Sequence, residues 1–179
     1  DVGNIYSMEV PGQIDKPEVA QNKAILLTDF AQYEVQELAE MLGRDHLQIR
    51  QKSQFELAKR GRRGIEAFTR AATRTELPTL VRIHGVWGLG QMAADEGLSI
   101  LEPLFDLLSD SNEQMRIQSA RVLGDLRVAK SADLLVKALR DEHPRVAMYA
   151  GIGLGRIGHA PAVTELYSLI DRNQDKDLW

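Results

Sequence analysis

Cysteine is absent from this 179-residue chain. That absence excludes disulfide bonds, thiolate metal sites and a cysteine nucleophile. The chain also lacks any run of about 18 apolar residues, so we predict no membrane-spanning helix. It begins without an initiator methionine or a signal peptide, and we interpret it as an excised fragment or a processed product. Hydrophobic residues make up 44% of the chain, which favours a folded protein over a disordered one.

Motifs for catalysis and metal binding are also missing. The four histidines do not share metal-ligand spacing. No Ser/His/Asp arrangement stands out, and no pair of carboxylates is marked for acid–base chemistry. The glycine clusters at 85–90 and 151–155 follow no predicted strand, so they do not indicate a phosphate-binding loop. We predict no catalytic residue, no metal ligand and no cofactor in this chain.

A nine-residue phrase recurs along the sequence and is its strongest positive signal. Its copies are Arg82–Gly90, Arg116–Gly124 and Ala147–Gly155, with a degenerate earlier copy at Arg50–Ala58. The last residues of the four copies are 32, 34 and 31 residues apart, a period that is typical of stacked helical pairs. We predict that helices over about 47–60, 80–94, 114–128 and 145–158 carry the phrase. They alternate with helices that carry a plainer apolar stripe, over 34–43, 65–73, 98–108, 132–139 and 162–170.

The first 16 residues differ from the rest. Asn4–Val10 alternates apolar and polar residues, which predicts a half-buried strand, and Pro11-Gly12 ends it as a turn. From Pro17 the pattern becomes helical, and we predict a leading helix to about Leu27. We expect two parts, an extended lead-in over 1–16 that ends a preceding domain and a repeat domain over 17–179 that is truncated at its C-terminal end. Pro103 lies inside a predicted helix and must kink it or restart it at Glu102.

The phrase also predicts how the repeats pack. The residue before its first position, and those three and seven after it, share one helical face and should form the core. The positions four and eight on are small in most copies. Glycine inside a helix costs up to about 1 kcal/mol, so its repeated use implies close approach of a neighbouring helix. Gln54 breaks this pattern, and we expect the first copy to pack more loosely or to lie near an end of the array.

An arginine opens the phrase at Arg50, Arg82 and Arg116, and Ala147 replaces it in the last copy. Asp110 and Asp141 each lie six residues before this position. We predict that these side chains form a structural ladder, in which charge-assisted hydrogen bonds join stacked repeats. The members of this ladder are Arg50, Arg82, Arg116, Asp110 and Asp141.

These residues resemble HEAT repeats, specifically the short type found in bilin lyases. The resemblance rests on Asp110, on Arg116-x-x-Ser-Ala-x-x-Leu-Gly124, and on the stripe from Ala132 to Asp141, and it extends over about residues 34–179. It implies an all-α fold, a right-handed α-solenoid of HEAT/armadillo-like helical repeats (an α-α superhelix). HEAT arrays serve many unrelated roles, so the fold does not specify a function.

A narrower resemblance is to the HEAT region of large bacterial cell-envelope proteins of the membrane-bound dehydrogenase type. It rests on Glu37–Gly43 and Ile49–Gly61. In those proteins a β-propeller precedes the repeats and a c-type haem domain follows them. Gly3–Tyr6 would then end the propeller, and Asp175–Trp179 would begin the next repeat. The chain contains no propeller blades and no Cys-x-x-Cys-His, so haem chemistry would belong to other parts of such a protein. This resemblance implies a periplasmic or envelope location.

We predict that the chain is a non-catalytic scaffold or protein-interaction module. Its partner would be another protein or a flanking domain, bound on the concave surface that the phrase-bearing helices commonly line in solenoids. The candidate binding residues lie on the predicted solvent face of these helices, where the copies differ: Lys52, His84, Trp87, Gln118, Arg121, Tyr149 and Arg156. Phe55, Trp87 and Ile152 could instead fill gaps between helices. The open C-terminal end, with Leu166, Leu169 and Ile170, could lead to self-association or fraying.

Two alternative functions remain open. One is a HEAT-fold enzyme such as a bilin lyase-like protein, which would need convergent acids that the sequence does not show. The other is nucleic-acid binding through the basic run Lys59–Gly64, although this run lies in an inter-helix turn without an aromatic stacking partner.

Charge is unevenly distributed along the chain. Residues 1–43 contain eight acidic and two basic residues, whereas residues 44–74 contain nine basic and three acidic ones. Such blocks commonly neutralise each other within one folded unit.

Overall fold

The computed structural model describes residues 16–173 and contains no strand within that range. The strand predicted at Asn4–Val10 and the chain end at Asp175–Trp179 lie outside the described residues. The α-helices are α1 (Pro17–Leu27), α2 (Val35–Met41), α3 (Leu47–Ala58), α4 (Arg62–Thr73), α5 (Thr79–Glu96), α6 (Pro103–Leu107), α7 (Glu113–Asp125), α8 (Ala132–Ala138), α9 (Pro144–Ile157) and α10 (Val163–Asn173). Short 3-10 turns occupy Phe30–Gln32, Leu98–Leu101, Ala129–Ser131 and Ala160–Ala162.

The helices form a HEAT-like α-solenoid, which confirms the predicted fold class. The phrase lies on α3, α5, α7 and α9, which we call the motif helices. The plainer apolar stripes lie on α2, α4, α6, α8 and α10, which we call the companion helices. Each motif helix packs on the next one along the chain, α3 on α5, α5 on α7 and α7 on α9. Equivalent positions of successive repeats are therefore neighbours in space, and this adjacency builds a surface from repeated positions.

Proline and glycine set several helix boundaries where the sequence predicts them. The leading helix starts at Pro17 and ends at Leu27. The segment around Pro103 divides into a 3-10 turn and a helix that restarts at Pro103, because proline cannot donate the hydrogen bond that would continue the turn. α9 begins at Pro144 and ends before Gly158, whose φ of +76° suits a left-handed C-terminal position.

The predicted core positions are buried in all four copies of the phrase. They are Ile49, Ser53, Leu57, Val81, Gly85, Leu89, Met115, Ser119, Leu123, Val146, Ala150 and Leu154. The four leucines are at most 1% exposed. Burying a leucine side chain contributes roughly 1.5–3 kcal/mol, so this row is a main source of cohesion along the solenoid.

Close helix approach at the phrase glycines is confirmed for two interior copies. A Cβ atom on Gly124 would lie 2.5 Å from the Gly153 Cα atom, and one on Gly90 would lie 3.0 Å from a methyl group of Val122. A Cβ atom on Gly155 would meet no atom of the described residues within 4 Å. The glycine therefore permits contact only where another repeat follows within the described chain.

Candidate interaction surface on the motif helices

Arginine side chains join consecutive repeats along one edge of the solenoid. Arg82 binds Asp110 of the next repeat in a bidentate manner, at 3.3 and 2.5 Å. Arg116 binds Asp141 in the same way, at 2.8 and 3.0 Å, and its Nη1 also donates to the Asp110 carbonyl. Arg50 differs, because it donates to the carbonyl groups of Arg44 and Asp45. These contacts fix the rotation of each repeat against the next one.

The ladder contacts shift the pKa of Asp110 and of Arg116. Burial alone would raise the pKa of the Asp110 carboxyl group. The hydrogen bonds from Arg82 and from the Asn112 amide outweigh burial and hold that pKa below its usual range. The hydrogen bonds to Asp141 raise the pKa of the Arg116 guanidinium above its usual value. Both shifts favour the charged forms, as expected for ion pairs that are part of the packing.

A row of side chains crosses the exposed face of the motif helices. It comprises Phe55, Trp87, Arg121 and Ile152, which all occupy the position five residues after the start of the phrase. Phe55 is 54% exposed, Trp87 38% and Ile152 42%, and Arg121 is exposed as well. Neighbouring helix axes lie about 8–10 Å apart, so the row extends across four helices for roughly 30 Å. We call this row and its immediate surroundings the motif face.

Hydrogen bonds between repeats hold the side chains beneath this row. Gln54 of α3 donates from Nε2 to Gln91 of α5 at 3.0 Å. Its Oε1 accepts from Nδ1 of His84 at 2.7 Å. Trp87 Nε1 donates to Gln118 of α7 at 2.9 Å, and the His84 and Trp87 rings meet edge to face at 5.3 Å. Gln54 therefore links α3 to α5 through specific hydrogen bonds, at the junction that is the least closely packed of the three between motif helices.

The prediction that His84 and Gln118 lie on the solvent face is wrong. His84 is 3% exposed and Gln118 is 8% exposed. Each side chain points between two motif helices, because an amide or indole partner on the adjacent repeat satisfies its polar group. These two residues support the motif face from below, and Trp87, which lies between them, remains at the surface.

The remaining candidates other than Lys52 lie at the C-terminal half of the face. The Arg121 guanidinium lies 5.9 Å from the centre of the half-buried Tyr149 ring, in cation–π geometry. Asp125 pairs with Arg121 at 3.6 Å and also with Arg156 of the next repeat. Arg121 and Arg156 are therefore exposed but held in place. Lys52 is exposed on α3, with its Nζ atom 5.4 Å from the Phe30 ring centre.

A cavity of about 470 Å³ opens between α5 and α7 beside Trp87. Its lining consists of Gln54, Trp87, Gly90, Arg121, Val122, Asp125 and Leu126. The indole forms one wall and the Arg121–Asp125 pair forms another. An apolar ring next to a fixed ion pair can bind one side chain of a partner and orient a polar group beside it.

Burial keeps His84 neutral at physiological pH. Burial away from solvent and, as the smaller cause, the nearby positive charge of Arg50 together lower its pKa from 6.5 to about 4. The neutral ring can carry a proton on Nδ1 for Gln54. A protonated ring would place a second positive charge next to Arg50, so protonation of His84 destabilises the bond network that supports the motif face.

The basic run at Lys59–Gly64 is largely neutralised within the chain. Lys59 and Arg60 both contact Glu56, at 3.0 and 3.1 Å. Arg60 also donates to the carbonyl groups of Ala31 and Tyr33. Arg62 contacts Glu66 and Arg63 contacts Glu34, at 3.2 and 3.5 Å. These carboxylates already pair with the positive side chains that a phosphate backbone would contact. The run therefore does not favour nucleic-acid binding.

The described part of the chain contains no group of three or more His, Asp or Glu side chains that could hold a metal ion. Within the same residues, no helix is long and apolar enough to cross a membrane.

Comparison with known proteins agrees with the architecture. Residues 101–178 match the family described as HEAT repeats. This match begins just before α6 and extends through α10. No curated protein matches the chain. HEAT repeats commonly mediate protein interactions.

Proposed function

We propose that the chain is a non-catalytic scaffold that binds another protein, or a flanking domain of its own polypeptide, on the motif face. The observation that carries this proposal is the row of Phe55, Trp87, Arg121 and Ile152. Three large apolar side chains at one repeat position are exposed in three different repeats. Apolar residues at equivalent positions form a continuous surface, and such surfaces mark interaction sites more often than scattered ones do.

The rigidity of this face supports the proposal. Trp87 is anchored through Gln118, and Arg121 is held by Asp125 and Tyr149. A side chain that is already fixed loses little conformational entropy when a partner binds. Tryptophan and arginine are also the residues that most often dominate binding energy at protein interfaces. The motif face thus combines suitable residues with a preorganised geometry.

A binding selection tests this function. The immobilised chain would be screened against a displayed library of random peptides, and affinities of the selected peptides would be measured by fluorescence anisotropy. We expect the Trp87→Ala variant to weaken binding about 30-fold or more, as for an interface hot spot of at least 2 kcal/mol. Leu80→Ala is the matched control, because Leu80 lies on the same helix with a similar exposure of 37% but lies outside the motif face. Selected peptides that bind both variants equally would refute the proposal.

We further propose that the chain is one module of a larger envelope protein. The support is the resemblance of Glu37–Gly43 and Ile49–Gly61 to the HEAT region of membrane-bound dehydrogenase-type proteins. The complete reading frame tests this. Propeller blades upstream and a Cys-x-x-Cys-His motif downstream would support it, whereas a reading frame with neither would contradict it.

A further inference from the structure

A second surface lies between companion helices α2 and α4. It is a furrow of about 870 Å³ that ends against the start of α5. None of its lining residues belongs to the motif face. The furrow is therefore separate from the motif face. Its arginines belong neither to the ladder nor to the motif face.

The floor of the furrow is made of small apolar side chains. Ala67 and Ala71 of α4 are buried, Ala39 of α2 is half-buried, and Val35 and Val81 close the two ends. Alanine offers only a methyl group. A backbone that enters the furrow can therefore approach α2 and α4 more closely than it could approach helices with long side chains.

The rim of the furrow is basic. Arg44, Arg63, Arg70 and Arg74 line it. Arg70 is exposed, and it makes no ion pair with any residue that the structure describes. Two other arginines of the rim have only weak polar contacts. Arg74 Nε lies 3.9 Å from Glu76 Oε1, and Arg44 donates only to the neutral amide of Gln21.

The two acidic residues of the lining leave this positive charge largely uncompensated. Glu66 contacts Arg62, which lies outside the furrow. Glu40 accepts a hydrogen bond from Gln36. Arg44, Arg70 and Arg74, which lack a close carboxylate among the described residues, therefore line the furrow, whereas each basic side chain of the run Lys59–Gly64, including Arg63 at the furrow rim, has a carboxylate within 3.5 Å.

The spacing of the arginines on α4 specifies the shape of a matching ligand. Arg63, Arg70 and Arg74 are separated by seven and four residues, which corresponds to about 10 and 6 Å along the helix axis. Carboxylates at the same intervals on a second helix would lie opposite them. An extended chain repeats its side chains at about 7 Å on each face and would match only some of these positions.

We propose that this furrow binds an amphipathic α-helix of a partner protein, with acidic residues flanking a face of small and aliphatic side chains. The apolar floor would contact that face, and the arginine rim would pair with the acids. Nucleic acid is the poorer fit, because a phosphate backbone has no apolar face to bury against the alanine floor of the furrow. The furrow and the motif face are independent surfaces, so the two can bind different partners.

A designed peptide tests this assignment. The probe is a fluorescein-labelled helix of about 18 residues, long enough to span α4, with Ala and Leu on one face and Glu at its flanks. Its matched control carries Gln in place of every Glu. We expect the acidic peptide to bind the wild-type chain at least about ten-fold more tightly than the Gln peptide at low salt, and to lose affinity as salt rises. Equal affinities for the two peptides would overturn the proposal.

Charge reversal at the rim locates the site. The Arg70→Glu/Arg74→Glu variant should weaken the acidic peptide by at least about ten-fold. The Lys137→Glu/Arg145→Glu variant changes the net charge by the same amount on exposed residues of α8 and α9, and it should change affinity much less. If both variants weaken binding equally, the attraction comes from general charge and the proposal fails. If the charge reversal at 70 and 74 abolishes binding of a random-sequence DNA duplex but leaves the peptide unaffected, the furrow is a nucleic-acid site instead.

A crosslink gives a second readout that does not depend on the charge variants folding. Because the chain has no cysteine, Gln36→Cys introduces a single thiol on the wall of the furrow. In a buffer that contains oxidised glutathione as the oxidant, a peptide with one central cysteine should form a disulfide with this variant. It should not do so with Thr164→Cys, which places the thiol on an exposed position of α10. Equal crosslinking of the two variants would overturn the proposed location.

Discussion

The third and fourth repeats contain similar residues at the same positions, but only the third is covered by another described repeat. Gly124 of α7 contacts Gly153, whereas its equivalent Gly155 meets no described atom within 4 Å. Leu139, at the end of α8, is 1% exposed, whereas its equivalent Ile170 is 58% exposed. Arg116 pairs with Asp141, and Ala147 stands at its place in the fourth repeat. The closing glycine of the phrase and the last apolar residue of the companion segment therefore gain their stabilising role from the next repeat, as expected for a linear array with nearest-neighbour coupling.

Removal of a ladder carboxylate should produce the largest effect. Asp110→Ala leaves the guanidinium of Arg82, which is 3% exposed, buried without its partner. We expect a loss of about 3–5 kcal/mol in the free energy of unfolding, measured by urea denaturation. The matched change in the fourth repeat is Glu165→Ala. Its partner Arg140 is 66% exposed, and a surface ion pair contributes less than about 1 kcal/mol. Similar losses in the two variants would contradict the comparison.

Truncation of the equivalent apolar residues comes next. Leu139→Ala removes a side chain from the packed junction with α9, where it lies beside Gly151, and should cost about 2–5 kcal/mol. Ile170→Ala removes a side chain that is largely in solvent and should cost less than about 1 kcal/mol. Both are measured as changes in the urea midpoint at constant slope. A large loss in the Ile170 variant would indicate that another chain covers α10. Self-association through this end therefore stays a prediction that sedimentation of the same two variants would test.

A pH titration probes an interior junction, the one between α3 and α5. His84 has a pKa of about 4 in the folded protein against 6.5 for an unperturbed histidine. Between these values the unfolded chain binds more protons than the folded one, so stability falls as the pH drops from about 6.5 to about 4. The loss from this residue is roughly 3 kcal/mol at most. Above pH 6.5 and below pH 4, the titration of His84 does not change the free energy of unfolding any further.

The control for this titration is the His84→Gln variant, which keeps a polar side chain near Gln54 without a titratable ring. Its unfolding free energy should be less dependent on pH between 4 and 6.5 than that of the wild type. Protection of the α5 amides in hydrogen exchange should follow the same trend. An identical pH dependence in the variant and the wild type would show that other groups cause the loss.

The sequence predicts the burial of residues that recur in each repeat. It does not predict contacts between residues of different repeats. The leucines, the arginine and the small residues are periodic along one helix, so a helical phase suffices to predict their burial. His84 and Gln118 have the phase of solvent-facing residues. Their partners Gln54 and Trp87 come from other repeats, 30 and 31 residues away, and a single-helix pattern does not include them.

The furrow could not be predicted from the sequence, because it too depends on contacts between different helices. The basic excess of residues 44–74 is visible in the sequence, but the sequence does not show which arginines find a carboxylate. Arg60 reaches across to Glu56 and to the carbonyl groups of Ala31 and Tyr33, whereas Arg70 stays unpaired among the described residues. Such assignments depend on the tertiary arrangement of α2 and α4.

The smallest effect, and the sharpest contrast, is expected from adding one methyl group to equivalent glycines. In Gly155→Ala the new Cβ atom meets no described atom within 4 Å. The better helix propensity of alanine should therefore stabilise the chain by about 0.5–1 kcal/mol. In Gly124→Ala the new atom would lie 2.5 Å from the Gly153 backbone, so α7 and α9 must separate. The cost of overpacking, typically about 1–3 kcal/mol, then exceeds the gain in propensity. If the two substitutions change the free energy of unfolding in opposite directions in urea denaturation, the contact with the next repeat decides whether a glycine is needed at this position. Stabilisation in both variants would mean that the two helices can separate at little cost.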